Sequence, residues 1–251
     1  MPQTQKVKKY YQNHSAPTAR YLDSNHTIAM NEELHETIKE IKKKLRLAMN
    51  GVVSTLQRRQ GLNYKINFGV EIPRLKELAS QYTQERALAQ ELWQANIREC
   101  KLLAIFLYPT EGLSIEEAEK WIAESPFTEI SDHLCRTLLK SLANAKEHCL
   151  RWITHESDTY KYCGYTTLSH LLRSGEQFNE SDTATYAQAV CDIFAQESTA
   201  SQPTRNAAYT SLVKYMDNDS SLAGKIGGIL ASKKDGKENS LSHILENISE
   251  F

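Results

Sequence analysis

The sequence predicts an all-α protein, on three observations: many short stretches with helical periodicity, few helix-breaking residues, and no sustained strand pattern. The 251 residues include only 10 Gly and 6 Pro. So few breakers in a long chain favour helices joined by short turns over a β-sandwich. With 40% hydrophobic residues, the chain is long enough to bury a sizeable core.

Helical periodicity begins at residue 32, where apolar residues from Leu34 to Leu45 recur on one face. Pro73 follows a break at Gly69 and suits the first turn of a new helix. Ser114 and Glu117 have the spacing of a capping box, which marks a helix start. Beyond residue 72 the pattern predicts helices over residues 73–82, 84–95, 97–108, 114–124, 128–142, 144–155, 158–173, 181–197, 203–217, 219–232 and 239–249.

Helices of roughly 10–16 residues cannot each bury an apolar face alone, whereas stacked antiparallel pairs can. Because no clear period is visible in the residue identities, the pattern leaves a helical-repeat solenoid and an irregular helical bundle open. Residues 30–251 are expected to form a single domain. Residues 1–29 are polar and lack periodicity, so we expect a disordered or non-native extension, or else an arm anchored by its tyrosines.

Composition limits the classes of partner and cofactor. The formal net charge is -1, so DNA contact would require basic residues concentrated on one face. The five cysteines lack CxxC spacing, which is typical of reduced, buried thiols in a cytoplasmic protein. The histidines lack metal-ligand spacing, no Gly-rich phosphate loop occurs and no apolar segment could span a membrane. We therefore expect no metal, no cofactor and no membrane, and we expect a monomer.

Residues 64–107 carry several short motifs in a fixed order. These are Phe68-Gly69-Val70, Pro73-Arg74 near a helix start, Leu92-Trp93 at a helix end and Arg98-Glu99 opening the next helix. Their order and spacing resemble the AlkD family of HEAT-like repeat DNA glycosylases. The resemblance implies a HEAT-like helical repeat solenoid (an α-α superhelix) whose concave, basic face holds duplex DNA. It also implies that some members excise N3- and N7-alkylpurines.

The same residues have a purely structural interpretation. Gly69 permits a backbone turn that a Cβ would strain, and Arg98-Glu99 is expected to form an intramolecular ion pair. Trp93 is expected to pack in the core rather than stack on a base. It belongs to a predicted buried stripe of Leu88, Leu92, Trp93, Ile97 and Cys100.

The resemblance also implies a catalytic carboxylate, which would stabilise an oxocarbenium-like transition state. It falls on Asp132, at the end of Thr128-Glu129-Ile130-Ser131-Asp132. Thr128 stands where the family has an aromatic wall. The alternative is structural, because an acidic residue in the first turns of a helix is stabilised by the helix dipole.

Two further site positions fall later in the chain. A second aromatic wall of the family aligns with Thr210, with Tyr209 one residue away. The family's arginine aligns near Gly164, where Tyr162 is a candidate substitute. Of four expected positions only the carboxylate is retained, so the sequence leaves open whether the protein is an enzyme.

Basic residues form two clusters, each of which could equally be a solvated face. Clusters on either side of a site could instead grip the DNA backbone. We therefore consider two functions. The first is a protein that binds damaged or distorted duplex DNA, alkylated or branched, through a concave face, with excision of N3- or N7-alkylpurines through Asp132 left open. The second is a non-catalytic HEAT-repeat scaffold for DNA structures or another protein. The candidate DNA-binding residues are Lys39, Lys43, Arg46, Arg58, Arg59, Lys225, Lys233 and Lys234.

Overall fold

The chain folds into helices joined by short connections. The computed structural model describes residues 18–195, 197–219 and 221–232. Within them lie twelve α-helices, a 3-10 turn at Leu139–Ser141, and no strand beyond an isolated bridge between Ile66 and Ile97. The helices are α1 (Thr18–Leu47), α2 (Gly51–Arg59), α3 (Ile72–Ala79), α4 (Arg86–Gln94), α5 (Arg98–Leu107), α6 (Ile115–Ala123), α7 (Thr128–Thr137), α8 (Ala145–Ile153), α9 (Asp158–Arg173), α10 (Glu180–Ile193), α11 (Gln202–Asn218) and α12 (Ser221–Ser232).

The described residues divide into two compact units, with the boundary between Met49 and Asn50. The sequence placed a boundary at residues 29–30, but α1 runs without a break from Thr18 to Leu47. The helix continues through this polar stretch because residues 18–49 contain neither Gly nor Pro. The second unit contains all of the remaining described helices.

One helix, α2, was not predicted as a separate element. Asn50 ends the preceding segment in an extended conformation, and its side chain accepts hydrogen bonds from the backbone N–H groups of Val52 and Val53. This is N-terminal capping, which begins a new helix at Gly51. The predicted helix at 239–249 lies outside the described residues.

The second unit is a two-row array of helices. One row consists of α3, α5, α7, α9 and α11, each packed against the next. Helices α4, α8 and α10 lie against this row, and α12 packs on α10. Tight pairs such as α4 with α5 and α8 with α9 give the HEAT-like architecture, as expected from stacked antiparallel helices.

A buried ionic network fixes the connection that precedes α3. Glu99 is fully buried, and its carboxylate accepts hydrogen bonds from the backbone N–H groups of Phe68, Gly69 and Val70. Arg98 completes the predicted ion pair with Glu99, at 3.0 Å. Satisfying these charges with several hydrogen bonds is what makes their burial tolerable.

Trp93 lies in the core, as the sequence predicts. Trp93 is fully buried and stacks on Trp121, with ring centroids 4.3 Å apart. Its indole N–H donates to Glu124, so no polar atom of the ring is left unsatisfied. All five cysteines are buried. Among the described helices, none has the length and apolar character needed to cross a membrane.

Candidate functional site

A cleft of about 430 Å³ opens between α7, α9 and α11. The side chains around it are mostly hydroxyl, amide or charged groups, and we call it the polar cleft. Its lining residues are Thr128, Asp132, Tyr162, Thr166, Ser169, His170, Arg173, Pro203, Asn206, Ala207 and Thr210. Three consecutive helices of one row therefore each contribute part of a single surface.

Four residues singled out in the sequence come together here. Thr128 and Asp132 lie one turn apart on α7, Tyr162 lies on α9 and Thr210 lies on α11. Tyr209, one residue from Thr210, is 43% exposed and does not line the cleft. Because neighbouring residues on a helix point about 100° apart, the alternative based on Tyr209 does not place an aromatic ring in the cleft.

Gly164, the position aligned with the family's arginine, lies on the other side of α9. It is buried, and a Cβ added there would approach Ile153 Cγ2 to 2.7 Å. This face of α9 packs against α8 and has no room for a long side chain. The guanidinium that does line the cleft belongs to Arg173, at the end of α9.

Asp132 is paired with Arg136, one turn further along α7. The pair is partly exposed, with Asp132 at 37% and Arg136 at 50% side-chain exposure. Such a pair holds the carboxylate and neutralises much of its charge, although it contributes little to stability at the surface. The pairing follows from a four-residue spacing that is visible in the sequence.

The electrostatic environment of the cleft is clearest at His170. Burial lowers the pKa of His170, and the charges of Arg173, Lys140 and Arg136 lower it further, whereas the charge of Asp132 raises it. Neither Lys140 nor Arg173 forms a salt bridge with another described residue, so the surface carries a local positive charge.

Hydrogen bonds to Arg98 and Tyr64 hold the first turn of α7 in place. Glu129, in the first turn of α7, accepts hydrogen bonds from Arg98 of α5 and from the hydroxyl of Tyr64, each at 2.9 Å. Burial would raise the pKa of Glu129, but Arg98 and Tyr64 hold it below its usual range. The motif at residues 64–107 therefore anchors the helix that presents Asp132.

The described members of the two predicted basic clusters lie elsewhere. None of Lys39, Lys43, Arg46, Arg58, Arg59 and Lys225 lines the polar cleft. The first three lie on α1, the next two end α2, and Lys225 is exposed on α12. Lys233 and Lys234 lie outside the described residues. Arg136, Lys140, His170 and Arg173 were not predicted from the sequence, because they are scattered along it and only folding brings the three cations close enough to act on His170.

The lining of the polar cleft suits oxygen-rich groups better than flat rings. The hydroxyl of Thr128 can donate to phosphate or sugar oxygens, as can cationic Arg173. The hydroxyl of Thr210 donates to the backbone carbonyl of Asn206 at 2.9 Å. Tyr162 is half-buried; burial and the charge of Asp132 raise its pKa to about 12. It is therefore a neutral hydrogen-bond donor at physiological pH. Among the described residues, no group of three or more His, Cys, Asp or Glu side chains could hold a metal ion.

The paired helical rows define a HEAT-like repeat protein. The family model described as "DNA alkylation repair enzyme" matches residues 41–209, and the chain belongs to this family. No curated protein matches it significantly.

A solved structure with a similar fold is described as "A new family of proteins related to the HEAT-like repeat DNA glycosylases with affinity for branched DNA structures". The TM-score is 0.65 at 18% sequence identity, and the match covers 84% of this chain and 92% of that one.

Proposed function

We propose that this protein binds branched or distorted duplex DNA, and that the polar cleft holds the sugar-phosphate backbone. The observation that carries the proposal is the lining of the cleft, where Arg173 lies with His170 and several hydroxyl side chains. The charges of Lys140 and Arg136 also act on His170. Lysine and arginine contacts to phosphates provide most of the sequence-independent affinity for DNA. The structural relative described as having affinity for branched DNA supports the choice of branched DNA.

The threonine side chains that line the cleft favour recognition of backbone shape over recognition of a base. Thr128 and Thr210, which line the cleft, have no rings with which to clamp a base. Hydroxyls and amides commonly contact phosphate and sugar oxygens, and these contacts position a protein without reading sequence. A branch point brings phosphates from different strands close together, and Arg173 on the lining of the cleft could contact one of them.

The test compares the binding of a four-way junction, a three-way junction and linear duplex of the same length by fluorescence anisotropy at several salt concentrations. Arg173→Ala should weaken junction binding about tenfold and reduce the slope of log affinity against log salt by about 1. The matched control is Lys120→Ala, because Lys120 is also exposed but lies in a separate cleft between α4 and α6.

Equal effects of the two variants would refute the assignment to the polar cleft. No affinity for any DNA at low salt would refute DNA binding altogether, and the HEAT-repeat scaffold for another protein would then stand.

A second candidate function is excision of N3- or N7-alkylpurines, and the position of Asp132 in the cleft favours it. An alkylated purine is already a cationic leaving group, so a carboxylate near the sugar could provide the main catalytic contribution. Against it, Arg136 neutralises that carboxylate. Release of free base from N7-methylguanine DNA, lost in Asp132→Asn, would establish the activity, and no release above that variant would exclude it.

A further inference from the structure

A second cavity, of about 370 Å³, lies where α3, α5 and α7 end. Its floor is largely apolar and includes two aromatic rings, so we call it the aromatic pocket. It is lined by Lys76, Ala79, Ser80, Tyr82, Gln84, Phe106, Leu107 and Thr137. None of these residues lines the polar cleft.

Phe106 is the central feature of the aromatic pocket. Its ring is half-buried and is held edge-to-face by His133 at a centroid distance of 5.5 Å. The ammonium group of Lys76 lies 5.8 Å from the ring centroid. A side-chain amide, Gln84 Nε2, donates to the backbone carbonyl of Phe106 at 3.2 Å and so fixes one wall. The pocket therefore combines an aromatic ring that contacts His133 with an exposed cation, Lys76.

Helix geometry places the aromatic pocket next to the polar cleft. On α7, Asp132 and its partner Arg136 form one stripe, at a spacing of one turn. His133 and Thr137 form the adjacent stripe, which faces Phe106 and the aromatic pocket. The two cavities therefore flank α7, and packed helices lie about 8–10 Å apart. A nucleic-acid strand in one cavity could reach the other within a few nucleotides.

We propose that the aromatic pocket accepts a single unpaired nucleobase of the DNA whose backbone lies in the polar cleft. The base stacks on Phe106, and Lys76 contacts the neighbouring phosphate. Stacking on an aromatic side chain suits any base because every base has a π-face. Branched and distorted DNA supplies unpaired bases that intact duplex lacks. The proposal rests on the proposed function, to which it adds a second contact and a specific ligand.

The experiment uses two DNA molecules with the same backbone: a duplex with one unpaired adenine, and the same duplex with an abasic linker in place of that nucleotide. Wild-type protein should bind the adenine duplex roughly tenfold more tightly. Phe106→Leu keeps an apolar side chain but removes the π-face, so it should bring this ratio close to one and leave the affinity for the abasic duplex unchanged. Thermal unfolding confirms that the variant is folded.

Two further variants separate this inference from the proposed function. Arg173→Ala should weaken binding of both duplexes equally, because it removes a backbone contact from the other cavity. Lys76→Gln, at an exposed position, should weaken both while preserving preference for the unpaired base.

The inference is refuted if wild-type protein binds the two duplexes equally, or if Phe106→Leu keeps the full preference. Loss of affinity for both duplexes in a folded Phe106→Leu protein would also refute it. No binding to any DNA would refute the proposed function as well.

Discussion

Arg98 donates two hydrogen bonds to the carboxylate of Glu129, one of them from Nε at 2.9 Å. The side chain of Arg98 is 2% exposed, and it also donates to Glu99 and to the backbone carbonyl of Val70. One guanidinium therefore joins α5, α7 and the segment before α3. The Arg98-Glu99 pair therefore has a structural role: Arg98 links α5 to α7 through its hydrogen bonds with Glu129.

Removing the Arg98 side chain should destabilise the fold strongly. Arg98→Ala leaves two carboxylates, those of Glu99 and Glu129, without their main counter-ion. Breaking a buried ion pair costs about 3–5 kcal/mol, and we expect the free energy of unfolding in urea to fall by that amount. Arg74→Ala is the control, because Arg74 forms an exposed pair with Glu77 and should cost less than about 1 kcal/mol. Similar losses in the two variants would contradict the role given to Arg98.

The helices could be predicted from the sequence because they depend on local signals. Pro73 lies in the first turn of α3, and Ser114 accepts from the backbone N–H of Glu117 at the start of α6. The predicted capping box is only half formed, since the Glu117 side chain bonds instead with Arg86, Gln90 and Tyr108. That departure depends on partners up to 31 residues away, which spacing within one helix cannot reveal.

Only those residues of the candidate site that align with motifs of the family could be predicted from the sequence. Asp132, Thr128 and Thr210 were singled out and do line one cleft, whereas their functional roles remain proposals. The charge of the cleft was not predictable, because Arg136, Lys140 and Arg173 form no run in the sequence. The conspicuous basic runs on α1 and at the end of α2 do not contribute to this cleft.

DNA binding should become tighter as the pH falls. The pKa of His170 is lowered in the free protein by burial and then by the charge of Arg173, and a bound phosphate would raise it. A group whose pKa rises on binding contributes affinity that is fully present below its free-state pKa and is lost as the pH rises through its bound-state pKa. The change should therefore centre near or below about 6.5, the ordinary value for histidine.

Titrating junction affinity between pH 5 and 8 (about one and a half units either side of that value) at constant ionic strength tests this expectation. His170→Gln should flatten the curve, whereas His155→Gln should not, because His155 is exposed and does not line the polar cleft. An unchanged slope in His170→Gln would mean that another group takes up the proton.

Asp132→Asn should separate the two candidate functions in a single variant. If the polar cleft holds DNA backbone, the substitution frees Arg136 and removes a negative charge, so junction affinity should increase by about two- to fivefold. If Asp132 is catalytic, base release should disappear while affinity changes little. Anisotropy and a base-release assay on the same protein preparation measure both effects, and weaker binding of the variant would contradict the backbone interpretation.

Gly69→Ala should test how closely the connection before α3 packs on α2. Gly69 has φ 72°, and a Cβ there would lie 2.2 Å from the carbonyl oxygen of Asn50 and 2.7 Å from the backbone nitrogen of Ser54. Gly112 has φ 88° but open space around its Cβ position. Gly112→Ala therefore carries the backbone strain alone, about 1–2 kcal/mol. Gly69→Ala should lose a further 1–3 kcal/mol or so from overpacking, measured by urea unfolding; equal losses would show that strain alone, rather than close approach, requires glycine at residue 69.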